Sequence, residues 1–126
     1  MKKSDLQIWS IAFCCAVLAF TALSNAGGAN PDHVAAFKKT HQCPGCDLSH
    51  ASLMGMQAPN AQLQNADLSD ASFYGGSLRG ADLTGTILNR TNLEMVDLTG
   101  AIGAILEPAR TDHRTTCPDG TAGPCR

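Results

Sequence analysis

Charge of either sign is scarce in this chain. Charged residues make up 16% of its 126 residues and the formal net charge is −2, so no strong field invites nucleic acid. Long apolar runs are also missing, apart from Ile8 to Leu23. That run falls short of the roughly 20 apolar residues a membrane span needs. A second CxxC pair is absent, and Asp47 rather than His follows the one at Cys43–Cys46. Haem attachment wants that His, and a zinc site wants a second ligand pair at better spacing than Cys117 and Cys125 offer. No nucleophile elbow accompanies any serine.

What is present is a period of five. From Cys46 to Gly100 the chain divides into CDLSH, ASLMG, MQAPN, AQLQN, ADLSD, ASFYG, GSLRG, ADLTG, TILNR, TNLEM and VDLTG. The middle column is Leu in nine of these eleven repeats, with Ala58 and Phe73 as exceptions. The column two places earlier is mostly small: Cys46, Ala51, Ala61, Ala66, Ala71, Gly76, Ala81, Thr86, Thr91. On an α-helix, leucines five apart would scatter around the axis, and on one long strand they would alternate faces. The pattern works only if the chain turns between repeats. Middle and small residues then point inward together, being two apart. The remaining positions, Asp67 among them, face water. Gly55, Gly75, Gly80, Gly85 and Gly100 fall where a bend needs permissive backbone.

ADLSD, ADLTG and TNLEM resemble the A(D/N)LXX repeat of the pentapeptide-repeat family. The resemblance implies an all-β fold, a right-handed quadrilateral β-helix with four repeats per coil. Eleven repeats then make just under three coils, and residues twenty apart stack, as in Leu48–Leu68–Leu88. CPGCDLSHASL also resembles the opening of many members, and the Thr115–Cys125 tail resembles a TTxPDG-type ending of exported ones. Some members mimic DNA and inhibit topoisomerases. That role fits poorly here, because three coils at about 4.8 Å per step make a short rod with a small acidic excess. Six acids in the repeats oppose only Arg79 and Arg90.

Residues 1–26 have the layout of a secretory signal: Lys2 and Lys3, the apolar run, then Ser24-Asn25-Ala26 before a cut. An uncleaved anchor is the alternative. A lipoprotein signal is disfavoured by Phe13 before Cys14. Residues 27–45 read as a linker and an N-terminal cap helix, with Asn30 as cap, Pro31 in the first turn, Asp32 at the positive end and Lys38, Lys39 and His41 at the negative end. Such a lid covers strand edges that would otherwise invite fibre growth. Residues 101–126 read as a C-terminal cap and tail, with Ala101 to Leu106 as an apolar lid over the last coil.

Cys43-Pro44-Gly45-Cys46 suits a type II turn, which brings its outer Cα atoms near disulfide range. Cys117 and Cys125 close a small loop at the opposite end. Four cysteines after the cut allow three pairings. The local one, Cys43–Cys46 with Cys117–Cys125, is favoured because the pairs belong at opposite ends of the stack. A thiol–disulfide redox role for Cys43 and Cys46 is the rival reading.

Within the repeats, Ala58 followed by Pro59 predicts an irregular third repeat, and Phe73 a larger centre filling space in its coil. His50, Asp70 and Arg90 fall in register one coil apart. Ser49, His50 and Asp70 have the composition of a hydrolytic triad but lack its accompaniments, so a polar ladder is expected. Outward Met54, Tyr74, Ile87 and Met95 depart from the polar pattern. Met54, Tyr74 and Met95 share one side and form a candidate interaction patch. The reading is therefore a non-catalytic, exported solenoid without metal or cofactor, periplasmic or secreted. Its expected partner is an envelope protein or a second copy, not nucleic acid, and not a membrane once the signal is removed. The interior is expected to be packed and without a pocket. Intact-mass measurement on the native protein is expected to give a mature N-terminus at Gly27. A full-length, membrane-extracted species would establish the anchor instead.

Overall fold

The computed structural model describes residues 28–126, so the Ser24–Ala26 cleavage site lies outside the described residues. Isolated parallel bridges join Gln42, Gln62, Asp82 and Ile102 in one ladder and Asp47, Asp67 and Ile87 in a second. Ser52, Ser72, Asn92 and Arg110 form the third, and Gln57, Ser77, Asp97 and Thr116 the fourth. Within the regular part every step is twenty residues, so one coil takes four repeats. Among the described residues no segment is long enough to count as a strand. Each repeat contributes one paired residue and then turns.

The turns follow from the sequence. The amide of the small-column residue donates to the carbonyl of the preceding middle residue at every turn but the Ala58–Ala61 one, as in Ala51 to Leu48 at 3.1 Å and Ala71 to Leu68 at 3.0 Å. The fifth position then sits third in a four-residue turn with positive φ, such as +68° at Gly55 and +57° at Asn60. Type II turns make that demand, which Gly and Asn meet at least cost. Pro59 occupies the second place of its turn, where its fixed φ fits. The third repeat is consequently regular rather than irregular: Gln57 bridges Ser77, and the Ala58 amide donates to the Ser77 carbonyl at 2.9 Å.

All eleven middle-column residues are buried, none more than 1% exposed. Among the small positions, Gly76 is required sterically, since a Cβ there would lie 2.6 Å from the Met56 carbonyl oxygen. Where threonine replaces alanine, its hydroxyl is spent inside. Thr86 donates to Leu63 O at 2.8 Å and Thr91 to Leu68 O at 2.7 Å.

The ladder starts one repeat before Cys46. His41–Gly45 is itself a repeat, with Gln42 bridged to Gln62 and Cys43 in the middle column, 3% exposed. Three whole coils therefore precede the C-terminal part. Helix α1, Pro31–Thr40, stands on the first coil. Asn30 caps it, accepting from the amides of Asp32 and His33, and His41 ends it with a left-handed φ of +58°. Phe37 is fully buried and meets Phe73 edge-on, ring centroids 6.2 Å apart.

The fourth coil is partial. Asn92 pairs with Arg110, eighteen residues on, and Asp97 with Thr116, nineteen on. Residues 103–109 cross the second side without a bridge. Ala101 and Leu106 are buried there, but Ile102 (57%) and Ile105 (69%) face outward, so Ala101–Leu106 is only half a lid. The Asp112 carboxylate accepts the Met95 amide at 3.1 Å, the place a ladder carbonyl holds in earlier coils. Burial pushes this carboxyl up, but donors from Met95, Thr115 and Arg114 outweigh it and hold Asp112 well below the usual range. The tail then turns back, Thr116 bridging Ala122 in antiparallel sense.

Four of the six outward acids in the repeats are turn braces rather than a merely solvated face. Asp67 Oδ1 accepts from the Ser69 amide at 2.9 Å, and Asp82 Oδ1 from both the amide (3.0 Å) and hydroxyl (2.6 Å) of Thr84. Asp47, Asp97 and Asp119 repeat the arrangement with Ser49, Thr99 and Thr121. The Thr84 hydroxyl, chiefly, and its amide lower the pKa of Asp82, and Thr121 does the same for Asp119. Burial raises that of Asp97, but Thr99 and Arg79 outweigh it.

Leu68→Ala is expected to cost about 2–5 kcal/mol and Asp67→Ala about 0.5–1.5 kcal/mol, the worth of one brace. Chemical denaturation ranks them, and the reverse order would refute the register. Carboxyls with lowered folded pKa stabilise fully above their unfolded value of about 3.9 and lose that stabilisation as pH falls through the folded value. The melting temperature is therefore expected to hold from neutrality to about pH 5 and to drop below about pH 4. Asn92 already braces Glu94 through its amide oxygen at 3.0 Å. Combining Asp82→Asn, Asp97→Asn and Asp119→Asn should thus keep the braces and make the acid limb shallower in a thermal melt series, the remainder belonging to Asp112 and Asp70. An unchanged limb would assign acid sensitivity elsewhere.

Candidate functional site

The outer wall carries few groups that the fold does not use. Met54 and Tyr74 hold the same place in repeats one coil apart and are 64% and 38% exposed. The third coil has Glu94 at that place, and Met95 follows it, 37% exposed with φ +61°. The structure thus stacks Met54 and Tyr74 and sets Met95 at the next position, its amide held by Asp112. Arg114 donates to Asp112 at 3.1 Å, and its pKa is raised by Asp112 foremost, with a smaller contribution from Tyr74.

His50, Asp70 and Arg90 form the expected ladder. Asp70 takes a two-pronged ion pair from Arg90, both contacts at 2.7 Å, and lies 3.9 Å from His50 Nε2. The Arg90 hydrogen bond is the main cause that lowers the Asp70 carboxyl. All three residues occupy the left-handed fifth position, with φ between +56° and +61°. The Ser49 hydroxyl donates to Asp47 at 2.6 Å, so it serves the turn rather than the His50–Asp70 pair.

Cys43 and Cys46 lie at disulfide distance, Cα–Cα 5.4 Å, and so do Cys117 and Cys125, at 5.5 Å. The CPGC segment is an ordinary repeat turn whose sulfurs stand in the middle and small columns. The Cys43 sulfur, packed into the core, is shielded from thiolate attack, whereas Cys46 is only partly buried. At the far end, a cleft of about 300 Å³ opens between Leu106, Cys117, Pro118, Asp119, Cys125 and Arg126. It lies beyond the last coil, outside the solenoid interior. Among the described residues no group of three or more His, Cys, Asp or Glu side chains gathers to hold a metal ion.

The sequence reading did not find His33. It is 9% exposed, and its Nδ1 accepts the Asp47 amide at 3.0 Å, so it pins α1 to the first coil. The braces were discoverable, since Asp followed two residues later by Ser or Thr recurs at 47, 67, 82, 97 and 119.

No curated protein matches this chain in sequence. Among solved structures it is similar to alr5209, a pentapeptide repeat protein from Nostoc PCC 7120, with 26% identity and a TM-score of 0.52 over 70% of this chain and 84% of that one. It is also similar to HetL from Nostoc sp. strain PCC 7120, a pentapeptide repeat protein involved in heterocyst differentiation regulation. That match has 33% identity and a TM-score of 0.36, and covers 64% of this chain and 40% of HetL. The family profile described as Pentapeptide repeats (8 copies) matches residues 43–75 and 66–102. Family profile, bridge register and buried leucine columns agree, and through these residues the chain belongs to the pentapeptide-repeat family.

Proposed function

We propose that this chain is an exported, non-catalytic interaction module: a right-handed β-helix of square section, closed by a disulfide at each end, that offers its outer walls to a protein partner in the periplasm or outside the cell. The observation that carries the reading is the Met54–Tyr74 stack. Middle-column side chains fill the coils, and the polar outward groups are largely engaged in turn braces and ion pairs. The exposed Met54 side chain has no such task, and clustered apolar surface with Tyr is a mark of interfaces. Support for export is the N-terminal layout together with two cysteine pairs at disulfide distance, the economy of small domains in oxidising compartments.

Met54→Ser and Tyr74→Ser are the tests. Met54 makes no described hydrogen bond through its side chain, so its variant should melt within about 0.5 kcal/mol of wild type. Tyr74→Ser should cost slightly more through Arg114. Both are expected to weaken capture of the native envelope partner, or self-association in sedimentation velocity. Wild-type behaviour of both variants in both assays would retire the patch.

A further inference from the structure

Every coil pairs upward through three backbone groups per repeat. In the third coil, Asn92 donates its N–H to Ala71 O at 2.9 Å, its own carbonyl accepts from Phe73 N at 2.9 Å, and the Glu94 carbonyl accepts from Gly75 N at 3.1 Å. The next repeat does the same through Asp97 and Thr99 with Gly76, Leu78 and Gly80. The first coil has the same upward groups but no coil above it. On two of its four sides substitutes take up the N–H and C=O of the bridged residue, though among the described residues nothing takes the third group, the carbonyl of Pro44 or Ser49. Thr40 Oγ1 accepts from the Gln42 amide and donates to its carbonyl, at 3.2 and 3.1 Å. His33 Nδ1 accepts the Asp47 amide at 3.0 Å, and the Asn30 amide donates to Asp47 O at 3.2 Å. On the other two sides, Ser52 and Gln57 are exposed, and among the described residues nothing pairs with their backbone N–H and C=O groups. Met54, 64% exposed, stands at the corner between them.

We infer that this two-sided open edge of the first coil, Ser52 to Pro59, is a docking site for an extended peptide segment of a partner protein, added as a parallel strand beside α1. The inference deepens the interaction reading above and rests on it. The occupant is identified by the groups offered: N–H and C=O of Ser52, C=O of Met54, N–H and C=O of Gln57, C=O of Pro59. They are complementary to the C=O, N–H, N–H sequence that an extended backbone presents every five residues in this fold. Such edges attract strands unless covered. A second copy stacked end-on is opposed by α1, because a helix stands about 10 Å thick where pairing requires about 4.8 Å. The step left beside the helix admits a single chain, and the exposed Met54 side chain supplies an apolar contact for it.

The fold provides its own probe. Residues 71–80 already satisfy an identical set of upward groups one coil lower, so a capped peptide of sequence Ala71–Gly80 should fit the first-coil edge. In isotope-labelled protein expressed from the full chain, the Ser52 and Gln57 amides are expected to exchange rapidly with solvent, whereas Ser72 and Ser77 amides are protected. Adding the peptide should protect Ser52 and Gln57 selectively. Ser52→Pro removes a donor that no native bond uses, and it should weaken binding up to about tenfold with a melting temperature close to that of wild type. A control peptide with Phe73→Pro and Leu78→Pro should not bind. The inference is overturned if these amides are protected before peptide is added, whether by the chain's own N-terminal part or by a second copy seen in sedimentation. It is overturned equally if about millimolar peptide gives no protection, or if the proline control protects as well. Loss of partner capture on Tyr74→Ser but not on Ser52→Pro would leave the interaction reading standing and remove the open edge from it.

Discussion

The structure depends on one requirement, that each repeat find its backbone partners in the repeats twenty residues before and after it. A bridge of a single residue cannot hold a strand by itself, and no repeat has internal backbone bonds beyond its turn. Buried amides and carbonyls without partners are costly. A coil is therefore stable only between coils, which makes the stack cooperative along its axis. The same dependence explains why the irregular chemistry of the molecule gathers at its ends. Thr40, Asn30 and His33 stand in for missing backbone above, and the Asp112 carboxylate stands in for a missing carbonyl below.

Side-chain identity follows from position within that frame. The middle residue fills the interior and is leucine wherever the coil is ordinary. The small position lies where the chain leaves one turn and approaches the next coil. A β-carbon at Gly76 would collide with Met56 O at 2.6 Å, and larger polar choices such as Thr91 survive only by donating inward at 2.7 Å. The second position carries the brace. Asp, Asn or Ser there accepts from the amide two residues on, which steadies a turn whose third residue is left-handed. One letter of each repeat thus serves the core, one the packing distance and one the turn. At the fourth position Ser49, Thr84 and Thr99 complete the brace with their hydroxyls, whereas the Met54 side chain, at the same position, has no such task.

Much of this was legible in the sequence because a five-residue period has few physical solutions. Stack, inward columns, helix caps and both cysteine pairs were all readable. The first repeat was missed because Cys43 replaces leucine, and a CxxC invites a chemical reading before a packing one. The third repeat was expected to break because proline is read as a breaker, although the second place of this turn suits its φ. Asp67 was assigned to solvent because its brace lies in a turn whose geometry a period does not display. Ile102 and Ile105 were read as a lid by hydrophobicity. Ala101 and Ile102 still keep the register, small residue inward and second residue outward, and only beyond Gly103, where the coil runs two residues short, did no periodicity remain to place Ile105 and Leu106.

The distribution of unused groups bears on function more than any motif does. A solenoid with a filled core has no interior for chemistry, and its walls repeat too regularly to distinguish one site from another. Distinctiveness arises where the repeat is interrupted. At the first coil the helix covers two sides and leaves two, so a uniform stack acquires one corner with free backbone and an exposed methionine. Below that corner Tyr74 continues the apolar line down the wall. The apolar wall residues and the open edge consequently meet at Met54. A partner that paired with the edge would lie against Met54 before it touched Tyr74. The two features are then parts of one surface, whose position is set by where helix α1 ends.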